Sequence, residues 1–131
     1  MATAPAPSPV RVFLADDSAP IRQRVAELLA VRSMDIVGQA ETPRASIEGI
    51  LAAHPDVVVL DVQLEGGTGL EVLRAVRQAD PGIAFVVFSN NSAPAYRKRY
   101  LGEGARCFLD KSSEFDRLAS AVAEASAVRV H

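Results

Sequence analysis

Cysteine is nearly absent from this 131-residue chain. Cys107 stands alone, so no disulfide can close within the chain, and a single thiol suits a reducing compartment. No charge sign dominates: 14 Lys and Arg face 16 Asp and Glu, for a net charge of −2. That balance leaves no basic footprint for nucleic acid, and direct DNA binding is not expected. Long apolar runs are also missing. Val57–Leu60 and Ile83–Phe88 are the longest, far short of the ~20 residues a membrane-crossing helix requires. Ahead of Val10 the chain carries no charged segment leading into an apolar core, so it does not read as a secretory signal. Residues 1–9 are expected to be a disordered Pro/Ala-rich tail, and the protein is expected to be cytoplasmic and free of membrane. With 49% hydrophobic and 23% charged residues, what remains is one globular domain. It is large enough to bury its own core without a disulfide or metal staple.

Apolar runs alternate with helical periodicity along the rest of the chain. Val10–Ala15 reads as a strand, Asp16-Asp17-Ser18 breaks it, and Ile21, Val25, Leu28 and Leu29 carry helical spacing up to Val31. Ser18 is a natural N-cap, and Pro20 fits the first turn. Met34–Gln39 reads as a second strand; a helix opens at Thr42-Pro43 and ends at His54-Pro55, with His54 facing the negative end of the helix dipole. Asp56–Leu60 and Ile83–Phe88 do not alternate with polar residues, which marks central strands of a parallel sheet covered on both faces. Between them Thr68–Glu71 has capping-box spacing for a helix through Leu70, Leu73 and Val76. A short helix over Ala93–Leu101, a strand over Ala105–Leu109 and a helix over Ser113–Val128 complete five βα repeats. Such a chain winds into a doubly wound α/β sheet, with its ligand site at the carboxyl ends of the strands where the winding reverses.

The residues just beyond those strands are Asp16 and Asp17, Asp61, Ser89, and Asp110-Lys111. Three carboxylates drawn to one edge repel one another, and a hard divalent cation with oxygen ligands is the natural remedy. Mg²⁺, or Mn²⁺ in its place, fits, because it keeps coordination positions for water and a phosphoryl oxygen. Lys111 would add a point positive charge and Ser89 a hydroxyl, the groups that stabilise an equatorial phosphoryl. The chain has only two lysines, and one stands at this edge. Taken singly, each has an ordinary reading: Asp16-Asp17 as a solvated turn, Lys111 as a surface lysine, Cys107 as packing.

Leu14-Ala-Asp16-Asp17-Ser18, Val59-Leu60-Asp61 with Gly69, Val87-Phe88-Ser89 and Phe108-Leu109-Asp110-Lys111 together resemble the receiver domain of bacterial response regulators. The resemblance spans about Val10 to Val128, placing a receiver domain over residues 10–128 and a C-terminal tail over 129–131. It implies a flavodoxin-like (βα)5 fold, a five-stranded parallel sheet of order 2-1-3-4-5. In that family Asp61 would accept a phosphoryl group from a sensor histidine kinase or phosphotransfer protein. Asp16, Asp17, Asp61 and the backbone carbonyl of Gln63 would hold Mg²⁺. Ser89 and Phe108 would form the switch pair and Lys111 would contact the phosphate, while Gln63 and Asn91 would tune the lifetime of the phosphorylated form. A basic, aromatic helix face of Tyr96, Arg97, Lys98, Arg99 and Tyr100 is the candidate surface for an unknown downstream protein or for a homodimer. Four positions depart from the pattern: Glu65 and Ser112 stand where prolines are common, Asn90 where a small residue is usual, and Phe108 lacks a tyrosine hydroxyl. The Lys111–Ser112 bond is expected to be trans, since cis costs a non-proline residue ~3–4 kcal/mol.

The expected function is a stand-alone, phosphorylation-controlled signalling module rather than an enzyme. Three alternatives stay open. A haloacid-dehalogenase-type phosphatase also places an Asp after a strand but needs an acid where Gln63 stands. A pseudo-receiver would bind partners without phosphorylation. The chain could also be the receiver part of a longer regulator.

Overall fold

The computed structural model describes residues 8–127. The expected tail over residues 1–9 and the end of the last helix at Val128 fall largely outside them. The order is β1 (Arg11–Ala15), α1 (Ala19–Val31), β2 (Asp35–Ala40), α2 (Pro43–Ala53), β3 (Val57–Leu60), β4 (Gln63–Leu64), β5 (Gly67–Thr68), α3 (Gly69–Ala79), β6 (Ala84–Ser89), α4 (Pro94–Gly102), β7 (Cys107–Asp110) and α5 (Leu118–Ala127). Five parallel strands form one sheet in the order β2-β1-β3-β6-β7. Counted along that sheet alone this is 2-1-3-4-5, the flavodoxin-like order expected.

The helix ends follow the local chemistry. Ser18 Oγ accepts the Ile21 N–H at 3.3 Å and Thr42 Oγ1 accepts that of Ala45 at 3.1 Å, each satisfying a donor the first helical turn leaves free. The Glu71 carboxylate accepts the Thr68 N–H at 2.8 Å to close the start of α3. α2 ends at His54, whose left-handed backbone (φ 49°) turns its N–H back to the Ile50 carbonyl.

Every residue of β3 and β6 is buried, and alternate side chains enter different halves of the core. Val58, Leu60, Phe85 and Val87 join Ile50, Leu73, Val76 and Phe108 on the face covered by α2, α3 and α4. Val57, Val59, Val86 and Phe88 join Val25, Leu29, Leu118 and Val122 beneath α1 and α5. This two-sided burial explains why neither strand alternates with polar residues. From β1 the chain moves outward to β2 and then crosses back to β3 on the other side of β1. The reversal therefore lies between the carboxyl ends of β1 and β3.

Two local features differ from expectation. A two-stranded hairpin, β4 with β5, follows β3; runs of two residues are too short to show alternation in a sequence. Its turn uses Gly66 at φ 81°, and the Glu65 N–H donates to the Glu41 carbonyl at 2.8 Å. A proline at position 65 lacks that donor. The last helix also begins later than Ser113. A 3₁₀ turn over Phe115–Arg117 precedes α5, because the Ser112 and Ser113 N–H groups are held by the Asp110 side chain rather than entering a helical ladder. The described residues contain no cis peptide bond, so Lys111–Ser112 is trans as expected.

Gly69 sets the distance between α3 and β3. A Cβ there would lie 2.1 Å from the Asp61 carbonyl oxygen, whereas one on Gly66 would meet open space. Gly69→Ala is expected to lower stability by about 1–3 kcal/mol through overpacking. Gly66→Ala should cost about 1 kcal/mol, from its left-handed backbone alone. Urea unfolding curves of the two variants check the difference and its order.

Candidate functional site

Asp16 and Asp61 leave adjacent strands at the reversal point. The Asp16 N–H donates to the Ala40 carbonyl of β2 and the Asp61 N–H to the Ala15 carbonyl of β1, so both backbones still belong to the sheet. Both side chains are buried, while Asp17 is exposed. Carboxylate oxygens of Asp16, Asp17 and Asp61 all lie within 4.8 Å of one another. From β7, Lys111 Nζ reaches Asp16 Oδ2 at 2.6 Å and Asp61 Oδ2 at 2.9 Å. The lysine side chain is only 6% exposed, so its charge is directed into the cluster rather than to solvent. Asp16 Oδ1 accepts the Ser18 N–H at 2.9 Å, which fixes its carboxylate plane.

Burial is the largest influence on Asp16 and pushes its pKa up; the Asp61 charge adds to this, while hydrogen bonds from Lys111 and Ser18 oppose it. Burial alone would lower Lys111, yet its hydrogen bonds to Asp16 and Asp61 and their charges raise it. The two directions are compatible, because one ammonium serves two carboxylates. Lys111 gains two partners, and each carboxylate gains half of one. Three carboxylates and one ammonium leave a formal charge of −2. A hard dication would bring it to zero, and a set of carboxylate oxygens is the donor chemistry Mg²⁺ or Mn²⁺ prefers. The residues present therefore fit such an ion.

Ser89 ends β6, fully buried, its Oγ accepting the Asn91 N–H at 3.1 Å. The Lys111 N–H donates to the Ser89 carbonyl at 3.1 Å, tying the two strand ends together. Phe108 is buried in β7, edge-on to Tyr100 with ring centroids 6.0 Å apart. Arg97 covers it: the guanidinium lies 5.1 Å from the ring centroid and donates to the Phe108 carbonyl at 2.7 Å. Gln63 and Asn91 are exposed at the mouth of the site, as is Asn90.

The proposed α4 face needs one correction. Tyr96, Lys98 and Arg99 are exposed, but Tyr100 is 2% exposed and packs into the core beside Phe108. Helical spacing turns it inward, its hydroxyl donates to the Val62 carbonyl at 3.4 Å, and burial pushes its pKa up to about 12. Sequence reasoning placed it on the surface because the surrounding Arg-Lys-Arg residues give α4 no apolar stripe. An open cleft of about 600 Å³ separates the β4–β5 hairpin from α4, lined by Gln63, Asn91, Tyr96 and Arg99 and closed below by Leu70 and Tyr100.

Sequence reasoning missed two contributors. The sequence puts Arg97 on the candidate partner face of α4, yet it covers Phe108. Asp110 was read only as an edge charge, yet it organises the turn after β7, which the pair of serines two and three residues on could have signalled.

Lys111→Met would leave the Asp16 and Asp61 carboxylates without their cation, a change that costs about 3–5 kcal/mol where charges are buried. The loss should be largest near neutral pH and shrink as pH falls into the carboxylate range, where protonating Asp16 removes the uncompensated charge. In the wild type, Lys111 has a raised pKa, so its contribution is complete below the ordinary lysine value and is lost as pH rises through the folded one. Urea unfolding of both proteins at pH 4.5, 7, 10 and 12 checks both directions.

Comparison with known proteins extends the likeness along the whole domain. The response regulator receiver domain family matches residues 12–123. "Probable transcriptional regulatory protein NarL" of Mycobacterium tuberculosis is 34% identical over 119 residues, covering 90% of this chain and 55% of that protein. The chain thus spans about half the length of that relative. The solved signal receiver domain of NarL from M. tuberculosis superimposes with a TM-score of 0.87 at 33% identity, covering 94% of this chain and 100% of the other. A LuxR-family two-component response regulator from Aurantimonas superimposes with a TM-score of 0.87 at 28% identity, covering 93% and 88%. With its sheet order, its acidic edge and its lysine in place, this chain belongs to the receiver domains of two-component response regulators.

Proposed function

We propose that Asp61 accepts a phosphoryl group from a sensor histidine kinase or phosphotransfer protein in the cytoplasm, and that the domain, residues 10–128, signals by phosphorylation-dependent protein contact. The observation that carries this reading is Lys111 Nζ held between Asp16 and Asp61 at 2.6 and 2.9 Å beside a third carboxylate. The transfer forms a bond between an Asp61 carboxylate oxygen and phosphorus and breaks the phosphorus–nitrogen bond of phosphohistidine; the departing imidazole takes up a proton. Little covalent chemistry is asked of the protein beyond positioning and charge neutralisation. Mg²⁺ or Mn²⁺, held by Asp16, Asp17, Asp61 and the Gln63 carbonyl, would supply the positive charge the cluster lacks. Lys111 can keep contact with Asp61 while its remaining donors turn to a phosphoryl oxygen. Ser89 can turn its hydroxyl to another, releasing the Asn91 N–H.

The same movement links the site to a surface. If the Ser89 loop shifts, Phe108 can move into the space freed, and Arg97, which covers Phe108 from α4, has to move with it. Tyr96, Lys98 and Arg99 lie on that helix and would present a changed face to an acidic partner or to a second copy. Such coupling is typically ~1–3 kcal/mol, about 5- to 150-fold in affinity.

Incubation with acetyl phosphate and Mg²⁺ should add one phosphate mass to the wild type and none to Asp61→Asn, read by intact-mass spectrometry. An undiminished adduct on the Asn variant would defeat the assignment. The decay of that adduct follows from Gln63 and Asn91, whose neutral amides can hold a water but cannot take its proton. Autodephosphorylation should therefore be slow, on the order of minutes or longer. The double variant Gln63→Ala/Asn91→Ala should change the decay rate of the adduct, and an unchanged rate would remove both residues from that role.

A further inference from the structure

We infer that Asp110 is the positioning residue of Lys111, its carboxylate strapping the β6–α4 loop to the β7–α5 loop so that the ammonium is presented to Asp61. The inference deepens the phosphoacceptor reading above and rests on it. Asp110 is the last residue of β7, paired with Ser89 in the sheet, and Lys111 follows at once. Its two carboxylate oxygens have separate tasks. Oδ1 gathers the chain just past the lysine, accepting the Ser112 N–H at 2.8 Å, the Ser112 hydroxyl at 2.5 Å and the Ser113 N–H at 3.1 Å. Oδ2 reaches across 18 residues of sequence to accept the Ser92 hydroxyl in the loop that also carries Ser89 and Asn91.

The backbone of Asp110 is held as firmly, its N–H by Glu114 Oε1 at 3.0 Å and its carbonyl by the Glu114 N–H at 2.9 Å. Lys111 is thus held on both sides, and its own N–H donates to Ser89. A turn alone needs only the Oδ1 contacts. The Oδ2 contact adds a cross-connection between the two loops that carry the hydroxyl and the ammonium of the site. The same hydrogen bonds, those from Ser112 foremost, hold the Asp110 carboxyl far below its usual range, so the strap is charged at any physiological pH. A lysine side chain is long and flexible, and where its ammonium rests depends on where its Cα is fixed. A displacement on the order of 1 Å at a reacting group can lower a rate by as much as about 100-fold.

The experiment follows phosphate-adduct formation on Asp61 with acetyl phosphate and Mg²⁺. Asp110→Ala should slow it about tenfold and Ser92→Ala less, while Asp110→Asn, which keeps the Oδ1 acceptor and can donate from its amide nitrogen to the Ser92 hydroxyl oxygen, should stay within about twofold of wild type. Mg²⁺ affinity, read by NMR titration, should be unchanged throughout. In a Lys111→Ala background, Asp110→Ala should add no further slowing, because a residue acting through the lysine has nothing left to position. Wild-type rates in both Ser92→Ala and Asp110→Ala, or equal slowing with and without the lysine, would overturn the inference. If Asp110→Ala does not fold, Ser92→Ala, which leaves the turn intact, decides alone. Amide exchange at Lys111 reads the strap without any phosphoryl transfer. It should quicken in Ser92→Ala, and protection equal to wild type would overturn the strap. A wild type that takes no phosphate would instead defeat the phosphoacceptor reading.

Discussion

One ammonium shared by two buried carboxylates is the interaction around which this domain's site is arranged. Lys111 comes from the strand end at one edge of the sheet, whereas Asp16 and Asp61 come from strands nearer its centre. Holding the three groups together requires the whole sheet in register, because no two of them are close in sequence. The pairing outweighs burial for the lysine, whose pKa rises, but not for Asp16, which burial pushes up despite the Lys111 hydrogen bond. A site left short of positive charge is one that a dication, and then a phosphoryl group balanced by it, can enter.

The rest of the fold serves that shortage of charge by preventing relaxation. Val57–Leu60 and Ala84–Ser89 are buried on both faces, so the strands that present Asp61 and Ser89 cannot shift register without exposing apolar side chains. Gly69 lets the start of α3 approach the Asp61 carbonyl more closely than any side chain would allow. Farther along the same face, Arg97 and Tyr100 fix Phe108 from α4, so a helix whose one buried residue is Tyr100 is joined to the site through a cation and two rings.

Two departures from the usual receiver pattern are explained by hydrogen bonds a proline could not make. The N–H of Glu65 donates to Glu41, and those of Ser112 and Ser113 donate to Asp110. In the first case a backbone carbonyl and in the second a carboxylate side chain holds the loop in place of a rigid ring. The trans Lys111–Ser112 bond belongs to the second arrangement.

The sequence alone determined the βα order, the central strands and the residues at the strand ends, because burial on two faces erases polar alternation in β3 and β6, and caps such as Ser18 and Thr42 act within a few residues of themselves. The separations of 44, 28 and 22 residues linking Asp17, Asp61, Ser89 and Lys111 made the candidate site legible for the same reason: each repeat returns the chain to the same edge. Tyr100, Arg97, the β4–β5 hairpin and the two tasks of Asp110 were decided only in three dimensions. Tyr100 lies among charged residues, and it is buried because α4 packs its ring edge-on against Phe108 of β7. The Oδ2 contact of Asp110 joins loops 18 residues apart, a distance over which local pattern carries no signal. Local propensity and periodicity describe a chain's neighbours in sequence, whereas a shared charge, a strap between loops and a ring turned inward depend on neighbours that only the folded sheet brings together.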